Sequence, residues 1–133
     1  MDFSIQMIFG EGKCKAALDF YASVFDSKIE QMQQFKDMPE LPDACDPELI
    51  LFATLDIAGK KVMFCDTIDD TKFVKGNSVR MCITSQDKRV IENIYNKLAQ
   101  DGTVVMPIAK TFFSDAFGMV DDKFGNQWQL CCE

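Results

Sequence analysis

The spacing of apolar residues changes along the chain, and each change marks an element. Residues 3–9 read as a strand. From position 13 to 25, Cys14, Leu18, Tyr21 and Phe25 recur at spacings of four, three and four, the single stripe of a helix that ends at Asp26-Ser27. A second strand pattern covers 28–35. Residues 49–57 and 60–65 form a hairpin across Ala58-Gly59. The order then repeats. Residues 78–83 read as a strand, and 86–100 as a helix with Ile91, Ile94, Tyr95 and Leu98 on its apolar face. Thr84 or Ser85 is placed to cap that helix, and Gly102 stands where a C-terminal glycine belongs. Strands follow at 103–106, 117–120 and 127–132, the last two joined by the turn Asp122-Lys123-Phe124-Gly125.

Each half is therefore strand, helix and three strands. Tyr95 corresponds to Tyr21, 74 positions on, and Gly125 and Gln129 correspond to Gly59 and Met63, 66 positions on. The offset shrinks because the first half carries a longer acidic, proline-containing loop at 36–48, KDMPELPDACDPE. A unit of this kind covers one sheet face with its helix and leaves the other open. In the last strand Trp128 and Gln129 point to opposite faces, so the indole goes to the core and the uncharged glutamine to the open face.

Composition narrows the function classes. A chain of 133 residues, 47% apolar, makes one domain or two small half-domains. The 12 phenylalanines suggest a thick core or an apolar cavity. A net charge of −7 argues against nucleic acid and against an anionic membrane surface. No apolar run reaches the ~20 residues of a membrane span, and the N-terminus lacks the basic start of a secretory signal. The expected location is the cytoplasm, where the six cysteines stay reduced. No C-x-x-C pair is present. Cys14, Cys65 and Cys82 are expected in the core, while adjacent Cys131 and Cys132 leave a redox role open.

Three stretches carry a family resemblance: MIFGEGKCKAALDFYASVF, VVMPIAKTFFSDAFG and MVDDKFGNQWQL. Together they resemble the PhnB-like branch of the vicinal oxygen chelate superfamily, which includes glyoxalase I, extradiol dioxygenases and the bleomycin and fosfomycin resistance proteins. The resemblance implies an α+β fold of two tandem βαβββ modules, about 1–67 and 77–133, in one PhnB-like domain spanning 1–133. Their strands would form a curved mixed sheet around a small-molecule cleft, in a protein that is a homodimer. In metal-dependent members, histidines and glutamates on the cleft strands hold a divalent ion that acts as a Lewis acid.

This chain departs from that ligand pattern. Gln129 stands where relatives have the closing glutamate. Gln6, or Ser4 if the turn is shifted, stands where the first strand often has histidine, and Phe52 replaces a histidine of the third. The fifth strand offers Ser78 and Arg80. With no histidine anywhere, a zinc, nickel or iron site would need carboxylates or thiolates, and none is suitably spaced. The expectation is a protein without metal or other cofactor. It would bind or sequester a small, partly apolar molecule using Gln6, Phe52, Arg80, Phe112, Phe117 and Gln129, with Arg80 available to a carboxylate or phosphate. The alternative is a superfamily enzyme, a lyase, isomerase or dioxygenase, with a non-standard metal site or none. Glu11, Asp56, Tyr21 and Cys65 are conceivable acid–base groups, but no spacing singles one out, so no catalytic residue is assigned. The old methyltransferase label of some PhnB-like proteins finds no glycine-rich nucleotide loop here. Gly10-Glu-Gly12 is too short.

Overall fold

A computed structural model describes residues 1–133. The chain divides into two compact units, Met1–Val74 and Lys75–Glu133. In the first, β1 (Gln6–Phe9), α1 (Cys14–Val24), β2 (Ile29–Gln34), β3 (Ile50–Ile57) and β4 (Lys60–Asp66) build one sheet in the order β1-β4-β3-β2. In the second, β5 (Met81–Ser85), α2 (Lys88–Ala99), β6 (Thr103–Ala109), β7 (Phe117–Asp121) and β8 (Gln127–Cys132) build another in the order β5-β8-β7-β6. The eight strands thus hydrogen-bond as two four-stranded mixed sheets, each with one parallel pair, β1 with β4 and β5 with β8.

Period-two alternation decides what each sheet buries. In the first unit Met7, Phe9, Ala53, Leu55, Val62 and Phe64 are buried against α1, which contributes Cys14, Ala17, Leu18, Tyr21 and Val24. Val24 takes the place expected for Phe25, which is the helix C-cap and only half-buried. Phe64 lies at the centre, its ring centroid 6.0 Å from both Phe9 and Tyr21. In the second unit α2 buries Ile91, Tyr95 and Leu98 against Ile83, Val120, Trp128 and Leu130. The Trp128 indole donates to the Asp122 carboxylate at 2.8 Å, and the other Asp122 oxygen accepts the amides of Phe124 and Asn126. One buried aspartate therefore builds the β7–β8 turn and satisfies the tryptophan beneath it.

Several local expectations are corrected. The α2 N-cap is Asp87, whose carboxylate accepts the Arg89 amide at 2.9 Å, and not Thr84 or Ser85, which end β5. After the helix, Asp101 and not Gly102 adopts the left-handed conformation, with φ 57°. Asp tolerates that region better than most residues. Gly102 is glycine for another reason: a Cβ there would collide with the Asp121 carbonyl oxygen and lie 3.1 Å from the Asp122 Cα. β1 starts at Gln6, three residues later than the pattern suggests, and only the Ile5 carbonyl continues the ladder, accepting from the Met63 amide at 2.9 Å.

The Ala58-Gly59 turn has positive φ at both residues, 51° and 83°, the requirement of the tight hairpin turn that favours Asn-Gly. Alanine is strained there. Ala58→Asn is expected to stabilise the protein by about 0.5–1 kcal/mol, read as a rise in thermal midpoint. An unchanged or lower midpoint would contradict the turn assignment.

Candidate functional site

Each sheet has a face turned away from its helix, and strand register orders the residues on it. On the first, Gln6 pairs with Met63, which pairs with Thr54 across the hairpin, while Ile8 pairs with Cys65 and Gln33 with Phe52. On the second, Cys82, Gln129, Met119 and Met106 follow one another across β5, β8, β7 and β6. Thr84, Cys131, Phe117 and Ala109 form the neighbouring row. The two faces repeat each other, with Met63 and Gln129 in the same central position and Phe52 and Phe117 in the same flanking one.

Most expected site residues fall on these faces. Gln6, Phe52, Phe117 and Gln129 do so by register, in two different units. Gln129 is half-buried and Gln6 exposed, and neither carboxamide has a hydrogen-bond partner within its own unit. Arg80 lies one residue before β5, exposed and without an ion pair. Phe112 lies on the loop between β6 and β7. Its ring stands edge-on to Phe113 at 5.1 Å, and Phe113 stands edge-on to Phe117 at 5.0 Å. Exposure climbs along this ladder from 8% at Phe117 to 55% at Phe113 and 101% at Phe112.

The thiols are distributed differently from expectation. Cys14 is fully buried, as its helical stripe requires. Cys82 is exposed and Cys65 half-buried, because register puts both on open faces. Cys132, on the helix side, is the buried strand cysteine. Adjacent Cys131 and Cys132 point to opposite faces, as neighbours in a strand must, and all six thiols are free. The sulfur content of the second open face was not anticipated: Cys82 and Met119 flank Gln129, Cys131 follows two residues along β8, and Met106 lies beyond Met119. Strict alternation from the Trp128 anchor is the signal that finds it.

The conceivable acid–base groups are not gathered. Tyr21 is wholly inside the first core. Glu11 sits on an exposed turn with Lys13 at 3.4 Å, and Asp56 is exposed beside Lys61. Burial, and then the neighbouring Asp66 charge, push the Cys65 thiol up, away from thiolate chemistry.

A divalent metal of the superfamily type does not fit the residues present. Gln129 is flanked by a thiol and a thioether, Gln6 by a thioether, and within neither unit do three Cys, Asp or Glu side chains converge. A nucleotide-type methyl donor does not fit either. Gly10-Glu11-Gly12 does link β1 to α1, but the protein's own groups fill that turn. A Cβ at Gly10 would lie 2.9 Å from the Phe73 ring, the Glu11 amide donates to Asp70 at 2.8 Å, and the Cys14 amide at the start of α1 donates to Asp66 at 3.0 Å.

Asp66 is buried and bridges two segments, since its second oxygen accepts the Ile50 amide at 2.8 Å. Burial raises its carboxyl above the ordinary 3.8, and the two amides oppose that rise. Its proton-linked stabilisation is therefore complete below the ordinary value and is lost as pH rises through the raised folded-state value. Asp66→Asn, which keeps one acceptor, is expected to cost about 1–2 kcal/mol near neutral pH. The gap to the wild type should widen towards pH 4, measured by urea unfolding across pH. A gap that narrows on acidification would contradict this.

Comparison with known proteins places this geometry. The PA1353 protein of Pseudomonas aeruginosa superposes with a TM-score of 0.86 at 29% identity, covering 100% of this chain and 98% of that one. The PhnB protein of Bacillus cereus gives 0.83 at 30% identity, covering 98% of each chain. The fosfomycin resistance protein FosX of Listeria monocytogenes, at 11% identity and TM-score 0.66, shares the fold alone, covering 99% of this chain and 92% of its own. The fold is that of the vicinal oxygen chelate proteins. Residues 2–131 match the family model described as 3-demethylubiquinone-9 3-methyltransferase, and the chain belongs to that PhnB-like family. Protein YjdN of Escherichia coli K12 is 25% identical, over 90% of this chain and 87% of its own.

Proposed function

We propose that this PhnB-like protein binds or sequesters a small, partly apolar molecule on its open sheet faces, without a metal ion. The observation that carries the reading is Gln129. It holds the centre of the second open face between Cys82 and Met119, on the strand that also carries the buried Trp128. A carboxamide there is neutral, so it binds a divalent cation poorly while still offering hydrogen bonds to an organic ligand. Thioethers and phenylalanines around it favour apolar contact. The exposed Arg80, one residue before β5, would serve only a ligand that carries an anionic group. The protein is proposed to act as a cytoplasmic homodimer. No helix of the protein is long and apolar enough to cross a membrane.

Native mass spectrometry of gently purified protein tests this reading. The expected result is a dimer carrying an organic adduct and no metal mass. A stoichiometric transition metal in place of the adduct would overturn it.

A further inference from the structure

We infer that the molecule taken by the second open face is an uncharged planar heteroaromatic with a hydrogen-bond donor and acceptor side by side on one edge, as in a lactam, and that Gln129 selects it. This rests on the proposed binding role of the open faces and names the ligand class for one of them.

The rows through Gln129 and Cys131 hold Cys82, Met119, Met106, Thr84, Phe117 and Ala109, with no carboxylate, ammonium or guanidinium among them. One row beyond, Asp121 lies opposite Gln127 and Arg80 stands two residues before Cys82, so the charges bordering these rows are of both signs. A charged ligand seated on these rows would lose hydration with no opposite charge to replace it. A flat polarisable ligand would gain instead. Sulfur atoms interact favourably with aromatic rings, and the Phe117–Phe113–Phe112 ladder presents ring edges and faces at increasing exposure beside the row. Only one group on the central row offers strong hydrogen bonds, and it offers both kinds. A carboxamide carries an acceptor oxygen and donor N–H groups side by side, and that of Gln129 is half-buried with no partner in its own unit. A lactam edge answers both together. A glutamate at this position could only accept.

The test is an NMR titration of the full chain with three matched probes: 2-quinolone, quinoline and 2-naphthoate. The expected result is shifts at β7 and β8, with 2-quinolone bound about tenfold more tightly than quinoline, the value of one to two additional hydrogen bonds, and 2-naphthoate weakest. Gln129→Leu is expected to bring 2-quinolone down to the quinoline level. Phe113→Ala should weaken all three probes while keeping the 2-quinolone preference. Equal binding of 2-quinolone and quinoline, or a preference that survives Gln129→Leu, would overturn the ligand class and leave the binding role standing. So would tightest binding of 2-naphthoate with its loss in Arg80→Gln. No shift on either open face with any probe would overturn both.

Discussion

Trp128→Ala is expected to destabilise the protein by about 5 kcal/mol, enough to unfold much of a marginally stable domain at room temperature. Trp128 is 1% exposed and is among the largest fully buried side chains. Its removal opens a cavity under β8 and takes the indole N–H from Asp122, a carboxylate that is itself buried. The two losses add, because the cavity and the lost hydrogen bond are separate costs. Trp128→Phe keeps most of the volume and should cost about 2 kcal/mol, mainly the lost hydrogen bond. Urea unfolding followed by circular dichroism measures both. A cost under about 1 kcal/mol for Trp128→Ala would mean that β8 does not alternate as described, and Gln129 would lose its place on the open face.

Gly102→Ala is the second large effect, at about 3 kcal/mol. The added methyl would meet the Asp121 carbonyl and the Asp122 backbone, and neither can rotate away as a side chain could. The β7–β8 hairpin would have to shift, carrying with it the turn that Asp122 holds. Gly59→Ala is the informative contrast. Gly59 has φ +83° with nothing within 4 Å of its missing Cβ, so alanine there should cost only the conformational term of about 1–2 kcal/mol. If Gly102→Ala were the milder of the two, the close approach of the hairpin would be wrong.

Particular residues show what the sequence made legible. The Ala58-Gly59 hairpin, the helix faces of Tyr21 and Tyr95 and the opposite facing of Trp128 and Gln129 follow from local periods of two and 3.6 and from turn chemistry. These need no knowledge of distant chain. Gly102 could not be read correctly, because its reason is a carbonyl brought in from Asp121 by the sheet. Asp66 was invisible for the same cause, since its two amide donors belong to Cys14 and Ile50. Cys82 was expected in the core because it is a small apolar residue in an apolar stretch. A shift of one residue exchanges the two faces of a strand, and pairing with Gln129 fixes Cys82 on the open one. The resemblance supplied the ligand pattern against which Gln6, Phe52 and Gln129 stand out as departures, and the register then supplied their neighbours.

A crystal structure of protein purified without chelators, with anomalous data collected across transition-metal edges, tests the central claim most directly. The expected result is organic density against Phe117 and the Gln129 carboxamide and no anomalous peak on either open face. A metal peak coordinated there, or open faces buried entirely by protein with no ligand, would contradict it.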